Sequence, residues 1–370
     1  MKKVFLYTLT VFFLFSMLAQ VSAPAQEVIF PESFTSGLGH VTSAFGNVTY
    51  NLGAIANNQS QPFLRFKIAA SSYYETYQVD NIVLGGISGV EPPPPPFGSN
   101  PYQRGPDPTA GMLEADLGPF NYANTRVSSG SGFGGGTLFY PIKTTEGPFA
   151  AIAVCPGYRQ TSTSIDWWGP RLASEGFVVI AMNTKWEGDE PTSRATQLIA
   201  ALNYVARQSN QAGSPIYQKV DPNRRGVMGW SMGGGGALIA ARDNPSLKGV
   251  IPLAPWTSST SNFSGVTVPT LIVGCEADIL APVNIHALPF YNSFSSSLPK
   301  AYIEFSKDGH FCVTTDNDHY ATLGKYGIAW MKRFLDNDIR YEPFLCGAPH
   351  KNDLLGQEIS AYLEDCPYTR

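Results

Sequence analysis

The chain has 370 residues, of which 43% are hydrophobic and only 15% charged, and its net charge is −4. There is no basic excess to neutralise phosphates, so nucleic acid is not expected as a partner. The 36 glycines and 29 prolines point to long surface loops and argue against a coiled coil, and the charged fraction is too high for a multi-span transporter.

Residues 1–25 read as a secretory signal peptide. Lys2 and Lys3 precede an apolar run at 4–18, and Ala23 and Ala25 supply the small residues of a cleavage site. The run falls short of the roughly 18 residues a spanning helix needs, so no stable membrane insertion is expected. A secreted chain, extracellular or periplasmic, exposes its five cysteines to an oxidising compartment.

Residues 26–90 are rich in Ser, Asn, Thr, Gly and aromatics. Short β-like runs at 63–69 and 77–84 suggest a small β-rich appendage resembling the end of a jelly-roll binding module. Five prolines at 92–96 force a stiff spacer, which marks a 91–101 linker.

The remaining stretch, 102–370, changes texture. Strands are predicted at 136–140, 149–154, 177–183, 226–229, 249–253, 270–275 and 301–305, and helices at 168–175, 193–208, 233–243 and 320–336. A run such as Ala150-Ala151-Ile152-Ala153-Val154 lacks polar alternation, as a strand covered on both faces does. Alternating strands and helices place the domain in the α/β class, with a doubly wound, mainly parallel sheet flanked by helices.

The strongest chemical signal is Gly229-Trp230-Ser231-Met232-Gly233, a G-x-S-x-G between an apolar strand and a helix-like segment. Glycines on either side let strand and helix approach closely enough to hold Ser231 on a strained turn, with the helix N-terminus behind it favouring negative charge.

A serine hydroxyl needs a base, and the base an orienting acid. Five histidines are available: His40, His286, His310, His319 and His350. His310 follows the predicted strand at 301–305 and the turn Lys307-Asp308-Gly309, so it occupies a loop at a strand's carboxyl end. His319 is the rival and reads as a solvated surface histidine. Asp278, three residues past the strand at 270–275, is the candidate acid, with Glu276 as the alternative. The order Ser231, Asp278, His310 is that of the α/β-hydrolases. This chemistry needs no cofactor, and no metal site is expected.

A Cys275–Cys312 bridge would tie the acid loop to the base loop, and a Cys346–Cys366 bridge would clip the C-terminal tail. Cys155 is then the odd thiol and reads as buried. For the oxyanion hole, the amide of Met232 follows the serine, and the amide of Tyr158 lies in the turn after the strand at 149–154. Tyr158, Trp230, Met232, Trp256 and Phe311 each adjoin a strand end or a candidate catalytic residue, which suggests an apolar groove for a flat acyl group.

Four stretches carry a family resemblance: Arg104-Gly105-Pro106-Asp107-Pro108-Thr109, Ile165-Asp166-Trp167-Trp168-Gly169-Pro170-Arg171-Leu172-Ala173, the serine motif extended to Gly236, and Ala329-Trp330-Met331-Lys332-Arg333-Phe334. They resemble bacterial cutinase-like polyester hydrolases, including those acting on poly(ethylene terephthalate). The resemblance spans about residues 102–368. It implies an α/β-hydrolase without a lid domain, a Ser231–His310–Asp278 triad, a Tyr158/Met232 oxyanion hole and aromatic walls at Trp230 and Trp256. Trp230 before the serine looks like the poly(ethylene terephthalate) hydrolase subgroup, as does the extra Cys275–Cys312 bridge. Phe311 looks like the ordinary cutinases, while Ile279 and Leu280 make the rim more apolar. The 27–100 extension has no counterpart in the usual members.

The expected substrate is a polyester or lipid ester, and the expected state a monomer. A short-chain esterase or triacylglycerol lipase is the alternative within the class. Outside it stand a serine peptidase and an adhesive binding protein whose appendage matters more than its site.

Overall fold

The computed structural model describes residues 100–370, apart from Ser259, Asp316, Asn317, Thr369 and Arg370, together with two short strands near the N-terminus. The chain divides into two units, Met1–Pro93 and Pro94–Arg370. In the first, β1 (Leu9–Phe12) pairs antiparallel with β2 (Arg65–Ile68), Leu9 opposite Ile68 and Phe12 opposite Arg65. β2 lies inside the β-like run at 63–69. The run at 77–84, the linker, and the signal-peptide stretch apart from Leu9–Phe12 lie outside the described residues.

The second unit is built on a nine-stranded sheet. Six strands are parallel: β5 (Phe149–Cys155), β6 (Phe177–Met182), β7 (Val220–Trp230), β8 (Gly249–Leu253), β9 (Thr270–Cys275) and β10 (Lys300–Phe305). Three more join antiparallel: β3 (Tyr122–Val127) on β4 (Gly136–Pro141), β4 on β6, and β11 (Ile359–Glu364) on β10. The order across the sheet is β11-β10-β9-β8-β7-β5-β6-β4-β3. From β5 the chain first builds outward through β6, then returns to lay β7 on the other side of β5. In such open α/β sheets ligands bind beyond the strands' carboxyl ends at this reversal, and here Cys155 sits opposite Gly229.

The strands carry apolar residues on both faces because both faces are covered. Ala150, Ile152 and Val154 point into one core, with Trp168 and Leu172 of α2 (Trp168–Ala173) and Trp330 and Phe334 of α6 (Tyr320–Leu335). Ala151, Ala153 and Cys155 point into the other, with Leu198, Leu202 and Val205 of α3 (Pro191–Asn210) and Leu238 of α4 (Met232–Asp243). The two-residue period of a strand does this sorting. α3 opens on Pro191, whose missing N–H is no loss in a first turn. Its Ala195, Leu198, Leu202 and Val205 recur at helical spacing and are buried. Four further helices are short: α1 (Ala110–Glu114), α5 (Ala287–Ser293), α7 (Pro343–Cys346) and α8 (Ala348–Asp353).

Candidate active site

Ser231 stands alone between the last residue of β7 and the first of α4, with φ 57° and ψ −119°. A non-glycine residue pays about 1–3 kcal/mol for such a conformation and keeps it only where its surroundings dictate it. Here they do. The Ser231 amide donates to Leu253 O at 2.9 Å, and its carbonyl accepts from the amides of Gly235 and Trp256, both at 3.0 Å. The glycines around it are required by close approach. A Cβ on Gly229 would lie 2.2 Å from Gly233 O, one on Gly233 would lie 2.4 Å from the carbonyls of Cys155 and Pro156, and one on Gly235 would lie 2.1 Å from Trp256 O. The turn therefore delivers Ser231 at the head of α4, whose first amides have no intrahelical acceptor.

His310, in the loop after β10, reaches back to this serine. Its Nε2 lies 2.8 Å from Ser231 Oγ and its Nδ1 2.7 Å from Asp278 Oδ2. An ionised carboxylate can only accept, so Nδ1 carries the proton and Nε2 offers its lone pair to the hydroxyl. The other carboxylate oxygen of Asp278 accepts from the amides of Leu280 (2.8 Å) and Ala281 (2.7 Å). Burial pushes the Asp278 carboxyl up, but the imidazole and these amides outweigh burial and hold it below its ordinary value. All three side chains belong to buried residues. A hydroxyl held this way can lose its proton to the ring as it attacks a carbonyl carbon.

Glu276, the alternative acid, is turned elsewhere and accepts from the Lys307 amide at 2.8 Å. Beside the serine runs the turn Cys155-Pro156-Gly157-Tyr158, so close that a Cβ on Gly157 would lie 3.2 Å from Ser231 Cβ. Together these elements enclose a cleft of about 440 Å³. Ser231, His310 and Met232 line it, together with exposed Tyr158, Leu280 and Phe311 and half-buried Trp256.

Comparison with known proteins gives this geometry a family. A family model described as PET hydrolase-like matches residues 97–367. The chain belongs to that family. Among its relatives is a cutinase of Thermobifida fusca (strain YX), 48% identical over 284 residues that cover 76% of this chain and 91% of the relative. Cutinase 1 of Thermobifida cellulosilytica is 49% identical over 272 residues, 73% of this chain and all of the relative. A bis(hydroxyethyl) terephthalate hydrolase of Streptomyces coelicolor is 45% identical over 289 residues, 78% of this chain and 88% of the relative.

Within this PET hydrolase-like hydrolase, both expected bridges are formed. Cys275 and Cys312 join β9 to the loop of His310, and Cys346 joins Cys366. Cys155 is a buried thiol, pushed up to about 11 by burial. Among the described residues, the cluster with metal-ligand spacing is Cys346, Glu364 and Cys366, and its two sulfurs are already bonded to each other.

One expectation needs revision. His319 is not a solvated surface histidine. It is 8% exposed, its ring stacks on Phe305 with centroids 4.4 Å apart, and its Nδ1 sits 2.9 Å from Glu358 Oε1. Its Nε2 lies 2.5 Å from Asp308 Oδ2 without hydrogen-bond alignment. Burial pushes this imidazole down, but Glu358 and Asp308 outweigh burial and hold it above its ordinary value. Trp230 and Trp256, expected as aromatic walls, both line the cleft, Trp230 with only 2% of its surface exposed. The Trp230 indole N–H donates to His310 O at 3.0 Å.

Three residues at the site were not anticipated. Gln160 and Glu190 also line the cleft. His286 lies with its ring 6.0 Å from that of Trp256, and burial lowers its basicity.

Proposed function

We propose that the protein is a secreted serine hydrolase that cleaves ester bonds of polyesters through an acyl-enzyme on Ser231. One observation carries the reading: a strained serine hydroxyl 2.8 Å from an imidazole that is itself 2.7 Å from a buried carboxylate. Ser231 Oγ attacks the ester carbonyl while His310 Nε2 takes its proton. The tetrahedral oxygen is received by the amides of Met232 and Tyr158, each contributing on the order of 3 kcal/mol to the transition state. His310 then protonates the departing alcohol, leaving the acyl group on Ser231. Water, deprotonated by the same nitrogen, releases the acid and restores the hydroxyl. Asp278 holds the ring in the required tautomer throughout.

The names of the relatives support the substrate class: cutinases, and a hydrolase of a terephthalate ester. The open cleft, with exposed Tyr158, Leu280 and Phe311 along it, suits an extended acyl chain. Export rests on Lys2, Lys3, the apolar run and the small residues after it. No described helix is long and apolar enough to cross a membrane.

The test is a p-nitrophenyl ester assay of wild type and Ser231→Ala. A loss on the order of 10⁴-fold or more in kcat is expected, and equal rates would end the reading. Product analysis on an aliphatic and an aromatic polyester film then fixes the substrate: release of soluble acid from neither film overturns the polyester assignment.

A further inference from the structure

The loop between β6 and α3 shapes a second groove of about 490 Å³, lined by Arg159, Thr184, Lys185, Trp186, Glu187 and Gly188. Its lining borders that of the cleft along the chain: Tyr158 lines the cleft and Arg159 the groove, while Glu190 lines the cleft and Glu187 the groove. The Arg159 amide donates to Glu187 O at 2.9 Å, which seams the two walls together.

Trp186 is 69% exposed, the most exposed aromatic side chain among the described residues. Yet the loop that presents it is firmly held. Buried Arg194 donates from Nε to Asp189 O (2.6 Å), from Nη2 to Glu187 O (2.7 Å) and from Nη1 to Pro156 O (2.9 Å). Gln197 accepts from the Lys185 amide at 2.7 Å and donates to Asp189 Oδ2 at 2.7 Å. The Trp186 indole folds over Gly188, where a Cβ would come within 2.4 Å of its Cη2. A large apolar ring held in water on a fixed loop is a surface waiting for a partner, and the two cations beside it, Arg159 and Lys185, supply donors for carbonyl oxygen.

We propose that this groove is a subsite for a second aromatic ester unit of the substrate chain, its ring against Trp186 and its carbonyl oxygens on Arg159 and Lys185. The inference rests on the polyester reading above and extends it beyond the scissile unit. An ester with one unit stays within the cleft, whereas an oligomer reaches the groove. Stacking on Trp186 lowers KM for the longer chain and leaves the bond-breaking step to Ser231 and His310.

The experiment compares a soluble ethylene terephthalate oligomer of two aromatic rings with p-nitrophenyl acetate, in wild type, Trp186→Ala, Trp186→Phe and Gly188→Ala. Trp186→Ala is expected to raise KM for the oligomer about fivefold, with the ratio of kcat/KM on oligomer over acetate falling by the same factor. Trp186→Phe restores most of the ratio. Gly188→Ala, which keeps the indole but pushes it aside, loses part of it. An unchanged ratio in Trp186→Ala, with wild type active on the oligomer, overturns the subsite alone. A loss confined to adsorption on solid film, with the oligomer KM unchanged, also overturns it in favour of a general surface contact. Wild type that cleaves the acetate but neither oligomer nor film overturns the polyester reading and the subsite together.

Discussion

Removing the Cys275–Cys312 bridge separates two roles that the sequence alone leaves merged: stabilising the fold and aiming the histidine. The bridge closes a loop with a sequence separation of 37, and the chain-entropy relation gives it about 4 kcal/mol. For a unit the size of residues 94–370, with about 2.1 cal/mol/K of unfolding entropy per residue, that is a fall of about 7 °C in Tm. The two loops are already seamed without the sulfurs. Glu276 N donates to Phe305 O and Ala277 N to Asp308 O, both at 2.9 Å, while Lys307 N donates to Glu276. Each such bond contributes about 1 kcal/mol net, enough together to keep the register of His310 and Asp278 when the chain is folded. Calorimetry on Cys275→Ala/Cys312→Ala should therefore show the drop in Tm, while kcat on a p-nitrophenyl ester at 25 °C stays within about threefold of wild type. An order-of-magnitude loss of kcat with Tm unchanged would refute the reasoning and make the bridge an aiming device.

Two other substitutions probe Trp230 and His319, whose hydrogen-bond partners only the fold supplies. Trp230→Phe removes the indole donor to His310 O and leaves a buried carbonyl without that partner, which costs about 1–3 kcal/mol. Urea unfolding should show that loss together with a lower kcat, and no change in either would sink the assignment. His319 has a raised folded value, so its contribution is full below the ordinary histidine range and is lost as pH rises through the raised one. Glu358, held below its ordinary value despite burial, contributes above the ordinary glutamate range and loses that as pH falls. The Tm gap between wild type and His319→Asn should thus be widest near pH 6 and narrow by pH 9. An equal gap at both would show that the ring acts through packing alone.

The central parallel strands were readable because burial on both faces writes an unbroken apolar run, as in Thr270–Cys275, where predicted and observed bounds coincide. Ser231 was readable because its strained turn needs glycines at fixed offsets. The edge strands β3 and β11 were missed. Tyr-Ala-Asn-Thr-Arg-Val and Ile-Ser-Ala-Tyr-Leu-Glu are half wet and mixed in composition, and only pairing with β4 and β10 makes them strands. β7 starts six residues before its apolar run because Val220 pairs with Phe149 across an irregular register. His319 was misjudged since Glu358, its partner, lies 39 residues further along. Nothing local to a histidine between Asp318 and Tyr320 announces a partner brought there by the fold. Trp186 was passed over for the same reason, as its neighbours in sequence say nothing of the groove it borders.

The run Gly233–Gly236 behind Ser231 is packed main chain against its neighbours, Gly233 on the carbonyls of Cys155 and Pro156 and Gly235 on that of Trp256. Variation there is closed off, since even a methyl group has nowhere to go. The rim is the opposite: Tyr158, Leu280 and Phe311 stand in solvent with room around them. Retuning which esters this protein accepts therefore starts at the rim, and there Phe311, its ring 5.2 Å from that of Trp230 and 6.0 Å from that of His310, is the position where a change of shape also reaches the buried rings.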